Sequence, residues 1–222
     1  MFGAWQAGAW RALAPRFKPD LVVGASVGSL NGYAIAAGWS ASDLCHWWLR
    51  PGVASFQNLP KIIHGLMEGR PLEIEYAVVL VDLLRMKPKT VSGPRILSDH
   101  LLASCAVPLA SSPRRIDGRW YVDGGLLNAS PVWAAVELGA TRIIALNALP
   151  EFPSALLRPF AKGFRAVFGH HPPLPRGVEL NTLTPRLPLG SLHDALYWRE
   201  EHITRWIEQG EKEGQSLIIA PK

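Results

Sequence analysis

The five residues Gly24-Ala25-Ser26-Val27-Gly28 constrain this chain more than any other stretch. They follow the short apolar run Asp20-Leu21-Val22-Val23, which predicts a buried strand, and precede small residues at 29–38, which predict a helix. Strand, tight turn and helix in that order make a unit of α/β architecture. A serine at the centre of G-x-S-x-G in that context sits on a strained turn that pushes its Oγ out of the backbone. Glycines two residues to either side, Gly24 and Gly28, let strand and helix approach without a Cβ clash. The helix aims its first N–H groups and positive end at the same point, where negative charge on a substrate carbonyl oxygen would be stabilised. Ser26 is therefore a candidate nucleophile, and the Val27 N–H is a candidate oxyanion donor. The competing reading is a small-residue turn of an ordinary α/β domain.

A serine nucleophile needs a base. A Ser-His-Asp arrangement would draw on the late histidines His193 and His202, but both fall on a predicted charged helix, where a surface histidine is the plainer reading. His170-His171 lies in an irregular stretch and is no better placed. The other candidate is Asp123, in Tyr121-Val122-Asp123-Gly124-Gly125. An aspartate at a strand end followed by Gly124 and Gly125 is held at a sharp bend, from which its carboxylate can face a neighbouring turn. Taken alone, that pattern reads equally as an Asx-turn.

The rest of the chain supplies the setting. Its 222 residues fit one α/β domain, expected to span 1–222, and suffice to bury a sizeable core. With 48% hydrophobic and 18% charged residues, disorder is excluded. Helices are predicted over 4–13, 41–50, 58–69, 98–106, 132–138 and 193–213. Strands are predicted over 77–81, 142–148 and 217–220, with a hairpin over 115–122 turning at Asp117-Gly118. Residues 150–188 are proline-rich and aperiodic, which predicts an irregular excursion.

The net charge of +5 suits contact with anionic surfaces. One purely basic run, Arg158, Lys162, Arg165 and Arg176, reads as a solvated loop or as a membrane-facing patch. Bulky groups between Trp47 and Met67, Trp48 and Phe56 among them, read as core packing or as a lid or membrane-docking cap. No interleaving of aromatic and basic residues argues for nucleic acid. Cys45 and Cys105 form neither a CxxC nor a Cys/His cluster, so no zinc site is indicated and a reducing compartment is expected. Residues 21–42 carry no charge but hold too many glycines, serines and asparagines to span a bilayer, and the N-terminus lacks the pattern of a signal peptide. The expectation is a cytoplasmic protein, with peripheral contact at a membrane left open.

Together the motifs resemble the patatin-like phospholipase family. The elbow continues as Ser29-Leu30-Asn31-Gly32, and residues 3–13 look like the family's first helix. Ala103-Ser104-Cys105-Ala106-Val107-Pro108 is similar to its A-S-x-A-x-P segment, and residues 116–125 to its hairpin and D-G-G motif. Asn128, Pro131 and residues 137–140 continue the match, so the ordered blocks cover 3–148. The resemblance implies a three-layer α/β sandwich with a mostly parallel central sheet and helices on both faces. It implies a Ser–Asp dyad, with Ser26 forming an acyl-enzyme and Asp123 as base, acting on acyl esters of phospholipids, lysophospholipids or neutral lipids. A free carboxylate, with a pKa of about 3.9, is a weak base, so desolvation would have to raise its basicity. No metal or organic cofactor is implied, and oligomeric state is left open.

The sequence departs from the family at its start. A strand and a loop of the form G-G-G-x-[RK]-G normally precede the first helix; here Gly3 aligns with the last glycine of that loop and Phe2 with its basic residue. Gly3 is thus a second candidate oxyanion donor. The expectation is that the recorded chain starts late, at an internal methionine, and that the sheet is interrupted where the strand would lie. The alternatives are a catalytically inactive lipid- or partner-binding domain and an acyltransferase of the same fold.

Overall fold

In the computed structural model of the protein, residues 1–51, 53, 58–108, 111–127, 130–150, 172–191, 193–194 and 197–219 are described. Asn128, Phe56, Arg158, Lys162, Arg165 and His170-His171 lie outside them.

The chain opens with helix α1 (Gly3–Leu13) and strand β1 (Leu21–Ala25), then helix α2 (Val27–Ala36). Helices α3 (Ala41–Leu49) and α4 (Leu59–Met67) follow, α3 capped by the Ser40 hydroxyl, which accepts the Asp43 N–H at 3.0 Å. Strand β2 (Glu75–Asp82) is the spine of the sheet. It pairs in parallel with β1, from Leu21 opposite Glu75 to Ala25 opposite Val79. It pairs antiparallel with β3 (Lys87–Ser92) and with β5 (Arg119–Asp123), where Leu80 lies opposite Asp123. Between β3 and β5 come α5 (Ser98–Ser104) and β4 (Arg114–Ile116).

The strand's period of two sorts its side chains. Tyr76, Val78 and Leu80 enter the main core with α1 to α5, whereas Val79 packs on Trp133 and Ala134 of α6 (Val132–Glu137), and Val81 on Val122 and Leu127. Helices thus cover both faces, as expected. The sheet itself is more mixed than a mostly parallel one, because two hairpins build it. In the β4–β5 hairpin Asp117 and Gly118 both take positive φ, 48° and 77°, the conformation that matches strand twist. The polar strand β3 (KPKTVS) escaped prediction. It runs along one side of β2, and Pro88 within it suits an edge position.

Strand β6 (Arg142–Leu146) pairs in parallel with β7 (Glu179–Leu183) in a separate two-stranded sheet. β7 lies within the stretch predicted to be irregular; its weak alternation reflects a mostly exposed strand, with Leu183 alone buried. Every residue of β1 and of β6 lines a cavity of about 650 Å³ between the two sheets. The sheet is therefore interrupted beside β1. Gln6 crosses the gap, its side-chain N–H donating to the Leu146 carbonyl at 2.8 Å.

The helix predicted over 193–213 is interrupted: His193 and Asp194 are helical, Arg199 is extended, and the last helix, α7, runs Glu200–Gln215; Leu217 to Ile219 form no strand, and Ile218 is exposed. α7 packs along α1 with backbone close to backbone. A Cβ on Gly8 would overlap the Ile207 carbonyl, and one on Gly210 the Trp5 carbonyl. Trp5 Nε1 donates to Glu213 Oε2 at 2.7 Å, and the Phe2 ring meets Trp206 edge-on at 5.1 Å. The bulky group after α2 resolves as core: Trp47, Trp48, Ile63 and Leu66 are all buried. Among the described residues no helix is long and apolar enough to cross a membrane.

Candidate active site

The site is built where β1 ends. Ser26 takes φ 53° and ψ −135°, a backbone state that costs a side-chain-bearing residue about 1–3 kcal/mol. The surroundings hold it there through both its backbone groups. Its N–H donates to Ser104 Oγ at 3.0 Å. Its carbonyl accepts the Ser29 N–H at 2.8 Å, the Ser29 hydroxyl at 2.6 Å and the Cys105 thiol at 3.3 Å. Gly24 is required for close approach: a Cβ there would overlap the Gly28 carbonyl and stand 2.6 Å from Ser29 Cα. Gly28 is not. A Cβ there would meet only the Gln6 side chain, at 3.7 Å, an ordinary contact; what matters at position 28 is the carbonyl that Gly24 approaches.

Asp123 ends β5, buried, with 5% of its surface exposed. Its Oδ1 accepts the Gly125 N–H at 2.7 Å, so the Asx-turn is present. That turn aims the residue; it engages one carboxylate oxygen and is compatible with a chemical role. Gly124 then lies directly on the strands beneath, where a Cβ would overlap the Val79 carbonyl and reach 3.3 Å from Ala25 Cβ. Ser26 follows Ala25 and Asp123 precedes Gly124, so this contact brings the two candidates to neighbouring strand ends. His193 and His202 lie elsewhere: His193 stacks on Tyr197, and His202 sits 3.6 Å from Asp194 and against Trp206 of α7.

The end of α5 is the part of the site that sequence reasoning missed. Ser104 Oγ accepts from Ser26 N–H and donates to the Val79 carbonyl at 2.8 Å, while the Ser104 carbonyl accepts the Gly124 N–H at 3.3 Å. The Ala106 carbonyl accepts the Asp123 N–H at 3.0 Å. One short segment thus braces the elbow and the aspartate loop together. Burial, reinforced by the charge of Asp123, pushes the Cys105 thiol up to about 12, so it stays protonated and donates. The signal available in sequence was the Ala103–Pro108 block, quoted for its likeness but given no role. Replacing Ser104 with alanine strands two buried backbone groups and is expected to cost about 2 kcal/mol of stability by thermal or denaturant unfolding. Cysteine at 104, nearly the same size but a weaker hydrogen-bonding group, should lose less. Equal losses would remove the hydroxyl's bracing role.

The candidate oxyanion donors are placed differently. Val27 is the first residue of α2, with its N–H at the helix N-terminus. Gly3 is the first residue of α1, and its carbonyl accepts from Asn31 Nδ2 at 2.8 Å. Asn31 also donates to Gln6 Oε1 at 3.1 Å and accepts from Trp48 Nε1 at 2.8 Å. A Cβ on Gly3 would overlap the Trp48 ring. This buried network fixes the start of α1 against α2 and α3, which accounts for Gly3 by packing.

The patatin-like phospholipase family model matches residues 1–84 and 74–136. Uncharacterized NTE family proteins of Mycobacterium bovis and Mycobacterium tuberculosis are 29% identical over 155 residues, 60% of this chain and 42% of theirs. The chain thus spans less than half the length of these curated relatives. The crystal structure of VipD from Legionella pneumophila superposes with a TM-score of 0.54, over 96% of this chain and 64% of that one, at 12% identity. That likeness is one of fold.

Proposed function

Since the chain belongs to the patatin-like phospholipase family, we propose that it is a lipid acyl hydrolase working through a serine acyl-enzyme. Ser26 Oγ attacks the ester carbonyl carbon while the Asp123 carboxylate takes its proton. The tetrahedral oxyanion is met by the Val27 N–H at the α2 N-terminus. Collapse breaks the ester bond, and the alcohol leaves with the proton that Asp123 had taken. Asp123 then removes a proton from water, the hydroxide attacks the acyl-enzyme, and the fatty acid departs as Ser26 recovers its proton. The substrates are carboxylic esters of phospholipids, lysophospholipids or neutral lipids.

The observation that supports this reading most is the contact of Gly124 with Ala25 and Val79. A strained serine and a buried carboxylate thus stand on adjoining strand ends. The test is trapping. A fluorophosphonate probe should label the protein once, on the tryptic peptide containing Ser26, and block p-nitrophenyl butyrate hydrolysis in proportion. Labelling elsewhere, or folded protein that neither labels nor turns over ester, would return the chain to the binding-domain alternative.

A further inference from the structure

The sheet is not level at its active-site end. β1 stops at Ala25, opposite Val79, whereas β2 runs on to Asp82 and turns back into β3. The turn therefore stands beyond the elbow by about five residues, roughly 15 Å at ~3.3 Å per residue. The β4–β5 hairpin rises beside it, tied by the Leu83 N–H donating to the Trp120 carbonyl at 2.8 Å. Two large apolar side chains are left in water at this tip, Leu84, 79% exposed, and Trp120, 43% exposed. Around them stand Arg85, Lys87, Arg115 and Arg119, all exposed. The acids nearby are Asp82, already paired with Arg85 at 3.0 Å, and Asp117 in the hairpin turn.

We propose that this tip is a docking surface for an anionic phospholipid bilayer. An exposed tryptophan and leucine at a turn, ringed by basic residues, combine the two interactions that hold a peripheral protein at such a surface. The apolar groups enter the headgroup boundary, and the cations meet lipid charge. Charge complementarity selects the occupant: an uncharged partner would not need the basic ring, and a nucleic acid would leave Leu84 without a use. The tip lies at the end of the sheet that carries Ser26, so docking turns the elbow toward the bilayer. The inference rests on the proposed lipid hydrolysis for its purpose, but its test does not.

Flotation with vesicles of phosphatidylcholine, with and without phosphatidylglycerol, measures it. The protein should partition onto the anionic vesicles and not the neutral ones. Leu84→Glu and Arg119→Glu should each weaken that partition at least about fivefold. Lys212→Glu, which changes the same charge on the exposed face of α7, should leave it unchanged. No binding by the parent protein overturns the proposal, as does an equal loss in Lys212→Glu, which would make the attraction one of net charge. A parent dimer that Leu84→Glu converts to monomer would also overturn it, making the tip an interface between copies. Hydrolysis of the water-soluble ester p-nitrophenyl butyrate, measured on the same proteins, should not change with the tip. If all of them lack that activity, the hydrolase reading fails while the vesicle result stands.

Discussion

Ser26→Ala is expected to lower kcat/KM for p-nitrophenyl butyrate by roughly 10⁴–10⁶, with the protein still folded. Asp123→Asn should lose about 10⁴. Asparagine keeps an oxygen in place of Oδ1 to accept the Gly125 N–H at the turn. It cannot take a proton from a serine hydroxyl, so the geometry survives and the chemistry does not. The double variant is the sharper measurement. A nucleophile and base that act as a unit fail together, so it should be no slower than Ser26→Ala alone. Losses that multiply would mean that Asp123 works independently of the serine, as a structural residue of its turn. Loss in the double His193→Ala, His202→Ala variant would point instead to the triad that the histidines' positions disfavour.

The second large effect concerns one methyl group placed at two glycines. Gly124→Ala drives a Cβ into the Val79 carbonyl, whose carbon lies 2.7 Å from the ideal position. Both neighbours are backbone of a buried sheet, so the loop must lift. Overpacking of this kind costs about 1–3 kcal/mol. The lift also separates Asp123 from Ser26, and misplacement by about 1 Å costs about 10² in turnover. Gly65→Ala should do the reverse. Gly65 sits on the exposed face of α4 with nothing within 4 Å of its Cβ position. Alanine there removes the glycine penalty in a helix, about 1 kcal/mol, and should raise Tm by about 2–4 °C. Thermal melts of the two variants should move in opposite directions. A Gly124→Ala protein that melts no lower than the parent would sink the account of the close approach.

The legible parts of the molecule share one property: their determinants are local. The elbow and the Asp117-Gly118 turn each fit in a few residues whose backbone needs are written in their types. Helix α4 shows its apolar stripe, Ile63 and Leu66 buried and Lys61 in water. What was lost depends on partners far away. β3 is polar because it runs at the sheet edge with most of its side chains in or near water, and β7 carries little hydrophobic signal because only Leu183 is covered. The final apolar residues, Leu217 to Ile219, look like a strand but find no sheet, and they lie exposed or half-exposed. The predicted helix from His193 begins as expected at His193 and Asp194, but Arg199 takes an extended backbone and separates that turn from Glu200. At the site, Ser26 and Asp123 could be named from their motifs. Ser104 could not be given a role, because its two hydrogen bonds reach back 78 and 25 residues to atoms of the backbone.

The α1–α7 crossing bears on the order of assembly during synthesis. The elbow, α2 and the first paired strands leave the ribosome within the first hundred residues. α1 meets Trp206, Ile207, Gly210 and Glu213 much later, since Trp5 and Glu213 are 208 residues apart. Until then the Phe2 ring lacks Trp206 and the Trp5 indole lacks Glu213, although Asn31 and Trp48 already hold the start of α1. Contacts this distant in sequence slow folding and prolong the exposure of apolar surface. The helix at the front of the site is therefore seated in two stages, first against α2 and α3 through Asn31 and Trp48, and later against α7.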